Sequence, residues 1–398
     1  MALKAKYQTS PFVFTGNPII LESEGYPTDM IKGGKFIITF EGKRIYEGRF
    51  FPPLNIDISE IVDAASEFLP EPSGKNFYPW ELIEVVDPEA LNSKRKLSVY
   101  VDYNGNDDET YEMLALPGGI PTQQFRMYAK GGKDVFDSRL YGQDCNLFFT
   151  NRTNGWRIEM KETELYPLYF LASTHSMRIR VRDSISGNEL GYEVPGGICT
   201  LDPAALRREM LANTHKLGSV FDIYLDHGGG VGFGCQLVIK HCDPAKERYR
   251  LKFRNSFGVF EIMEITGKLI ENREFPESEE SSYRKFDPVT RRFSNLRRRL
   301  DATRSFSITT PLERGQGEFV ADLLASEEIY ILDAFDSPVR VNVTSEEFSW
   351  QKLQETPESI SFKIELTDPD HFFGEVIAGI TDGRKPRIHS DEFTNEFN

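Results

Sequence analysis

Val99-Tyr100-Val101-Asp102-Tyr103-Asn104-Gly105-Asn106 and Ile223-Tyr224-Leu225-Asp226-His227-Gly228-Gly229-Gly230 are near-copies of each other. Each is a β-branched and aromatic run that breaks into a turn rich in Asn or Gly, the local signature of a strand entering a hairpin. The echo predicts a duplicated β-rich unit. It also gives an ordinary reading of His227-Gly228-Gly229-Gly230, which otherwise resembles the oxyanion-hole loop of lipase-type hydrolases. Its counterpart in the first copy, Tyr103-Asn104-Gly105-Asn106, is a plain hairpin turn.

Around these two stretches the same order of elements recurs. In the first unit, Phe12-Val13-Phe14 opens, and a hairpin follows from Lys35–Phe40 to Arg44–Phe50 around Glu41-Gly42-Lys43. Asp57, with Glu60 three residues on, predicts the start of a short helix. Leu97–Tyr103 and Tyr111–Leu116 then close the unit. In the second, Leu147–Thr150 is read as the opening strand, and Met177–Arg182 alternates with period two, which buries one face and leaves the arginines wet. Ser186-Gly187-Asn188 turns the chain into Leu190–Val194. Asp202-Pro203 caps and starts a short helix, and Phe221–Leu225 with Cys235–Lys240 completes the pair.

A third unit begins with Tyr249–Phe253 and Val259–Ile265. Its middle is charged, with acids at Glu271, Glu274, Glu277, Glu279 and Glu280, then bases at Arg291, Arg292, Arg297, Arg298, Arg299 and Arg304. Phe319, Val320, Leu323 and Leu324 share a helical face, and strands follow at Ile329–Leu332, Arg340–Val343 and Ile360–Leu366. The predicted fold is therefore mainly β. Two tandem β-sandwich-like domains with short helices span 1–125 and 140–245, an α+β C-terminal domain spans 248–380, and 381–398 is a polar tail.

The 398 residues exceed what one hydrophobic core supports; 39% are hydrophobic and 12% aromatic, enough for several cores. A net charge of −15 argues against a general nucleic-acid binder and against an anionic membrane surface. No apolar stretch reaches the length of a membrane span, and the first residues, Met1 to Gln8, lack the apolar core of an export signal. The four cysteines, Cys145, Cys199, Cys235 and Cys242, are too few for a disulfide framework and read as idle thiols in a reducing compartment. Cys235 and Cys242 with His241 lack the paired spacing of a zinc site.

Catalytic patterns fall short in specific ways. No G-x-S-x-G elbow exists, and Ser256 in Asn255-Ser256-Phe257-Gly258 lacks the first glycine. Gly228–Gly234, Ser73-Gly74-Lys75 and Gly33-Gly34-Lys35 miss the spacing of phosphate loops. Asp102–Glu109 resembles a calcium loop, but Asp107 and Met113 occupy the places where an EF-hand needs Gly and Glu, leaving at most a weak cation site. Asp368-Pro369-Asp370-His371 reads as a solvated turn. The expectation is a non-enzymatic protein with no cofactor and no metal. The arginine cluster Arg291, Arg292, Arg297, Arg298 and Arg299 is the candidate interface, facing an acidic stretch or an acidic neighbouring subunit.

Several short phrases resemble virion proteins from phages and prophages of Bacteroidetes. Tyr249-Arg250-Leu251-Lys252-Phe253-Arg254-Asn255-Ser256-Phe257-Gly258-Val259-Phe260-Glu261 is similar to an aromatic strand, Asn-x-[Phe/Tyr]-Gly and a second strand in that group. Ser282-Tyr283-Arg284-Lys285, the helix Phe319–Ser326, Ile329–Leu332, Pro338–Val341 and Ser361–Ile364 follow in the same order. Phe14-Thr15-Gly16-Asn17-Pro18-Ile19 and Phe149-Thr150-Asn151-Arg152 are similar to the same group. The resemblance implies a structural part of a tail or baseplate, present in the virion and in the host cytoplasm during assembly. Its partners would be other tail proteins or copies of itself, and it carries no catalytic residues. The alternative is a carbohydrate- or surface-binding module with Trp80, Trp156 or Trp350 as a glycan platform, although a buried core position is the ordinary place for each.

Overall fold

The computed structural model describes residues 2–6, 12–24, 33–51, 54–72, 82–90, 94–103, 108–132, 148–154, 156–172, 177–194, 196–226, 233–242, 244–245, 247–275, 282–297, 300–313, 315–335, 337–350 and 358–368. The chain divides into two compact units, Met1–Glu271 with Phe306–Thr367, and Asn272–Ser305 with Asp368–Asn398. The architecture is mainly β.

The first sandwich contains β1 (Ala2–Ala5), β2 (Phe12–Phe14), β3 (Ile20–Glu24), β4 (Gly34–Phe40), β5 (Lys43–Phe50), β6 (Asn55–Asp57), helix α1 (Ser59–Ala65), β8 (Lys96–Asp102) and β9 (Glu109–Leu116). One sheet runs β1-β3-β6 and the other β2-β9-β8-β4-β5, with β2 parallel to β9 and the rest of that sheet antiparallel. Period-two alternation drives the larger sheet: Phe36, Ile38 and Phe40 on β4, and Leu97, Val99 and Val101 on β8, point into a core shared with Leu21 on β3 and Val62 on α1. The β4–β5 turn places Glu41 and Gly42 at positive φ (50° and 75°), the conformation a tight two-residue hairpin requires. Asp57 does not cap α1 as expected. It ends β6, and its carboxylate accepts from the backbone N–H groups of Ile19 and Ser59, each at 3.0 Å.

The second sandwich repeats this order from β2 onward, without a counterpart of β1. β11 (Arg157–Lys161), β12 (Leu168–Ala172), β13 (Met177–Asp183), β14 (Glu189–Val194), β15 (Gly197–Leu201), α3 (Pro203–Thr214), β16 (Val220–Asp226) and β17 (Phe233–Lys240) take the places of β2, β3, β4, β5, β6, α1, β8 and β9. The order β11-β17-β16-β13-β14 matches β2-β9-β8-β4-β5, including the one parallel pair, β11 with β17. A short β10 (Thr153–Asn154) is added beyond β11. The near-copies Val99–Asp102 and Ile223–Asp226 thus occupy one topological position. Parallel first strand, four-stranded antiparallel sheet, opposing strand pair and a short helix before the penultimate strand: this is the arrangement of an immunoglobulin-type sandwich. Asp202 caps α3 as the sequence predicts, accepting from the N–H groups of Ala204 (2.9 Å) and Ala205 (3.1 Å).

Two further findings depart from the sequence reading. Phe148–Thr150 is not a strand; the opening strand of the second sandwich is β11. And β7 (Ile83–Asp87), encoded within the first unit, pairs antiparallel with β15 of the second, giving the sheet β12-β15-β7. Its side chains Ile83 and Val85 pack on the second sandwich's core.

The third unit is a sheet with the order β19-β18-β24-β25-β26-β23-β20, built from β18 (Arg248–Arg254), β19 (Phe260–Thr266), β20 (Ile270–Glu274), β23 (Thr303–Leu312), β24 (Ile329–Ile331), β25 (Val339–Thr344) and β26 (Glu358–Leu366). Helix α4 (Gly317–Ala325) lays Phe319, Val320 and Leu323 on one face of it, against Leu251, Phe253, Val341 and Phe362. This is the expected α+β arrangement.

A further core lies where the three meet. Phe14, Leu116 and Ile120 come from the first unit, with Phe125 and Ala129 of α2 (Thr122–Lys130), Phe149, Tyr169, Leu171 and Ile198 from the second, and Phe257, Phe260 and Ile262 from the third. β12 is therefore buried on both faces: Leu168, Phe170 and Ala172 face the sandwich core while Tyr169 and Leu171 face the junction.

Candidate functional site

Two places carry side-chain arrangements beyond ordinary packing. The first is a hairpin in the second compact unit, β21 (Ser282–Asp287) with β22 (Arg292–Arg297), a two-stranded sheet of its own. All its side chains are exposed except Asp287, which is half-buried. The register places Ser282 opposite Arg297, Arg284 opposite Asn295 and Phe286 opposite Phe293 on one face. Tyr283, Lys285, Leu296 and Arg292 share the other. Phe286 and Phe293 pack ring on ring at 5.2 Å between centroids, yet remain 49% and 66% exposed. At the tip, the Asp287 carboxylate accepts from Val289 N–H (2.9 Å) and the Thr290 hydroxyl (2.8 Å). These bonds hold its pKa below the ordinary carboxylate value.

The structure thus puts the predicted Arg292 and Arg297 on opposite faces of one exposed hairpin. Arg291 sits in its turn with φ of 55°, a left-handed conformation that shapes the bend. Arg298 and Arg299 lie outside the described residues. From Ser282 to Arg297 there are five cations and one acid, a net +4 in a chain of −15. A lone two-stranded hairpin is marginal in water, and four exposed aromatic or leucine side chains on it form a surface suited to a partner.

The second place is the three-way junction. Asn255 donates from its side-chain nitrogen to the Phe149 carbonyl (2.9 Å) and to Glu261 (2.7 Å), and accepts from Phe257 N–H (2.9 Å). The Thr150 hydroxyl donates to Glu261 at 2.5 Å. Asn151 (2.7 Å) and the Ser256 N–H (2.9 Å) both donate to Asp322 on α4. Arg152 pairs with Glu164 and lies 4.0 Å over the Phe319 ring. Gly16 N–H donates to Gly118 carbonyl (2.9 Å), and Gly119 N–H to Ser256 carbonyl (2.8 Å). The segments Phe14–Asn17, Phe149–Arg152, Asn255–Gly258 and α4, scattered along the chain, converge here. Burial pushes the Glu261 carboxyl up to about 7, against the pull of Arg152, Thr150 and Asn255. Burial likewise raises Asp322.

Beside this network opens a cleft of about 590 Å³. Asp63 and Ser66 from the end of α1, exposed Phe68, the Gly118–Gly119 backbone, Arg254 and Glu327 line it. Arg254 is committed to Glu328 (2.7 Å) and stacks over Phe68 (4.3 Å) and Phe260 (4.0 Å). Sequence reasoning named Asn255–Gly258 and Phe149–Arg152 only as phrases. Nothing in the sequence signalled the partnership between them, which joins residues more than a hundred positions apart.

Other candidates resolve plainly. His227–Gly230 and Asn104–Asp107 lie outside the described residues; the strands on either side pair antiparallel, Leu225 opposite Phe233 and Val101 opposite Glu109. Trp156 and Trp350 are not core residues: they are 46% and 38% exposed. Trp350 stacks on Phe348 at 4.8 Å and covers Gly317. Trp80 and Cys145 lie outside the described residues. Burial pushes the Cys199 thiol up to about 12, which leaves it little thiolate at neutral pH. Among the described residues no group of His, Cys, Asp and Glu is placed to hold a metal, and no helix is long and apolar enough to cross a membrane.

No protein-family model matches this chain, and no curated protein sequence matches it. Among solved structures, a complex of Dpr2 Ig1-Ig2 with DIP-Theta Ig1-Ig3 is similar at 8% identity and a TM-score of 0.17, over 92% of this chain and 90% of that one. The native conformation of E. coli alpha-2-macroglobulin is similar at 8% identity and a TM-score of 0.18, over 88% of this chain and 24% of that one. At those scores neither carries an argument; the immunoglobulin-type arrangement rests on the strand order itself.

Proposed function

We propose that this chain is a non-enzymatic structural protein of a phage or prophage tail or baseplate, and that its work is assembly. The observation that carries the reading is the Ser282–Arg297 hairpin, an exposed, cationic and aromatic surface on an otherwise acidic chain. Two further features support it. The phrases that resemble phage virion proteins build the three-way junction, so the resemblance falls on residues with a structural task. The sandwiches share cores, which makes a stiff body of the kind an assembly part needs. Its partners are neighbouring tail proteins or copies of itself, and its places are the virion and, before that, the host cytoplasm.

Gradient-purified phage particles from the organism that encodes the chain should contain it in fixed ratio to the tail proteins. Replacing Arg292→Glu with Arg297→Glu should remove it from particles while the free protein stays folded. Particles that lack the wild-type chain, or that retain the double variant at full ratio, overturn the reading.

One observation favours a second reading. The Trp156 ring is 46% exposed, with the Arg157 guanidinium 5.8 Å from its centre, an apolar platform beside a hydrogen-bond donor of the kind sugars stack on. A glycan array that lights with wild type and goes dark with Trp156→Ala would support it.

A further inference from the structure

We infer that the hairpin of one copy docks in the junction cleft of a second copy, so that the chain assembles head to tail with itself. This rests on the assembly reading above and names the partner of that same surface.

The first argument is charge. The hairpin carries +4 and the chain −15, so everything outside the hairpin carries −19. The chain's own body is the acidic partner that a cationic hairpin needs, and at close range opposite patches both steer and orient an encounter.

The second argument is the chemistry of the cleft. Its rim carries the exposed carboxylates of Asp63 and Glu327. Among the described residues that line it the one cation, Arg254, is paired with Glu328. The C-terminal end of α4 opens onto it through Ala325 and Ser326, with no basic residue in the last turn to offset the negative end of the helix. Among the described residues the Ser66 hydroxyl lining the cleft has no hydrogen-bond partner. Phe68 stands 51% exposed at the same place. An aromatic ring beside exposed carboxylates and a hydroxyl is complementary to an aromatic ring flanked by arginines.

One hairpin face has that make-up. Arg284, Phe286, Phe293 and Arg297 lie together, with Phe293 66% exposed. A cleft of about 590 Å³ admits a few side chains and not a whole strand. It would take the phenylalanine pair at its apolar wall and the two guanidiniums at its rim. The two surfaces differ, so the contact is heterologous: it closes into a ring if the rotation permits and otherwise extends as a filament.

The test uses the full chain and sedimentation velocity at low and high salt. Wild type should self-associate at low salt and weaken as salt rises. Arg284→Glu with Arg297→Glu should weaken association at least about tenfold. Asp63→Lys with Glu327→Lys should do the same, and an equal mixture of the two variants should associate again, because each now offers a complement to the other. Glu327→Lys alone, which leaves the Asp63 bond to Thr15 intact, guards against a folding effect, with circular dichroism as the check. A wild type that stays monomeric at low salt, a cleft variant that associates like wild type, or a mixture that stays monomeric overturns this inference. Finding the chain in virions while it stays monomeric would sink the copy-on-copy contact alone. Self-association of a chain absent from virions would sink the tail reading alone.

Discussion

The side-chain nitrogen of Asn255 stands 2.9 Å from the carbonyl oxygen of Phe149, a bond between the third unit and the second sandwich inside a buried core. The same amide reaches Glu261, and its oxygen takes the Phe257 N–H. One side chain thereby closes the turn of its own unit and clasps the next.

Asn255→Ala should therefore be far more damaging than its size suggests. It leaves a buried carbonyl, a buried carboxyl and a buried N–H without this partner, and each orphan is worth about 1–3 kcal/mol. We expect a loss of roughly 3 kcal/mol or more, read by urea unfolding. A loss below about 1 kcal/mol would show the clasp to be dispensable.

Gly118 has φ of +91°, and a Cβ there would lie 2.1 Å from the Ser256 carbonyl oxygen. Gly118→Ala meets both a strained backbone and a rigid neighbour, so the first sandwich must back away from the third unit. A fall in stability of roughly 2–3 kcal/mol is expected, with faster proteolysis at the junction. Gly42, which has open space around it at positive φ, should tolerate Ala with a smaller loss.

Glu261 gives the fold a pH dependence of known sign. Its carboxyl has an ordinary value of 4.5 and is raised to about 7 by burial. A raised folded value means the neutral form is favoured in the folded state. The contribution is complete below pH 4.5 and is lost as pH rises through 7, on the order of 3 kcal/mol in all. Glu261→Gln should remove that slope and be the more stable protein at pH 8. An unchanged slope in chemical denaturation between pH 5 and 8 would assign the effect elsewhere.

Phe286→Ser with Phe293→Ser removes two exposed rings from the hairpin. Stability should change by no more than about 0.5 kcal/mol, as for other exposed sites, while association with the partner falls. A large fall in melting temperature would mean that these rings serve the monomer's own fold.

The repeat was legible because it rests on period-two alternation. Met177–Asp183 shows it residue by residue, with Met177, Ile179, Val181 and Asp183 buried and Arg178 and Arg182 exposed. β7 was not, because Ile83–Val86 are all half-buried and show no alternation, and nothing in the sequence says which sheet will receive it. Helix α2 hid for a related reason: only Phe125 and Ala129 are buried, and Met127 is 65% exposed. The hairpin's arginines were legible as charge, but their separation onto two faces depends on a register that only pairing sets. The junction network was silent in the sequence, since Asn255 and Glu261 meet partners more than a hundred residues away.

The loan of β7 from the first sandwich to the sheet of the second has a genealogical consequence. A duplicated domain is ordinarily a free module, open to shuffling between genes. Here a crossover placed between the two copies would strip one of an edge strand and leave the other with an apolar segment it cannot house. The two sandwiches must therefore be inherited together, so the pair should travel through genomes as one indivisible block.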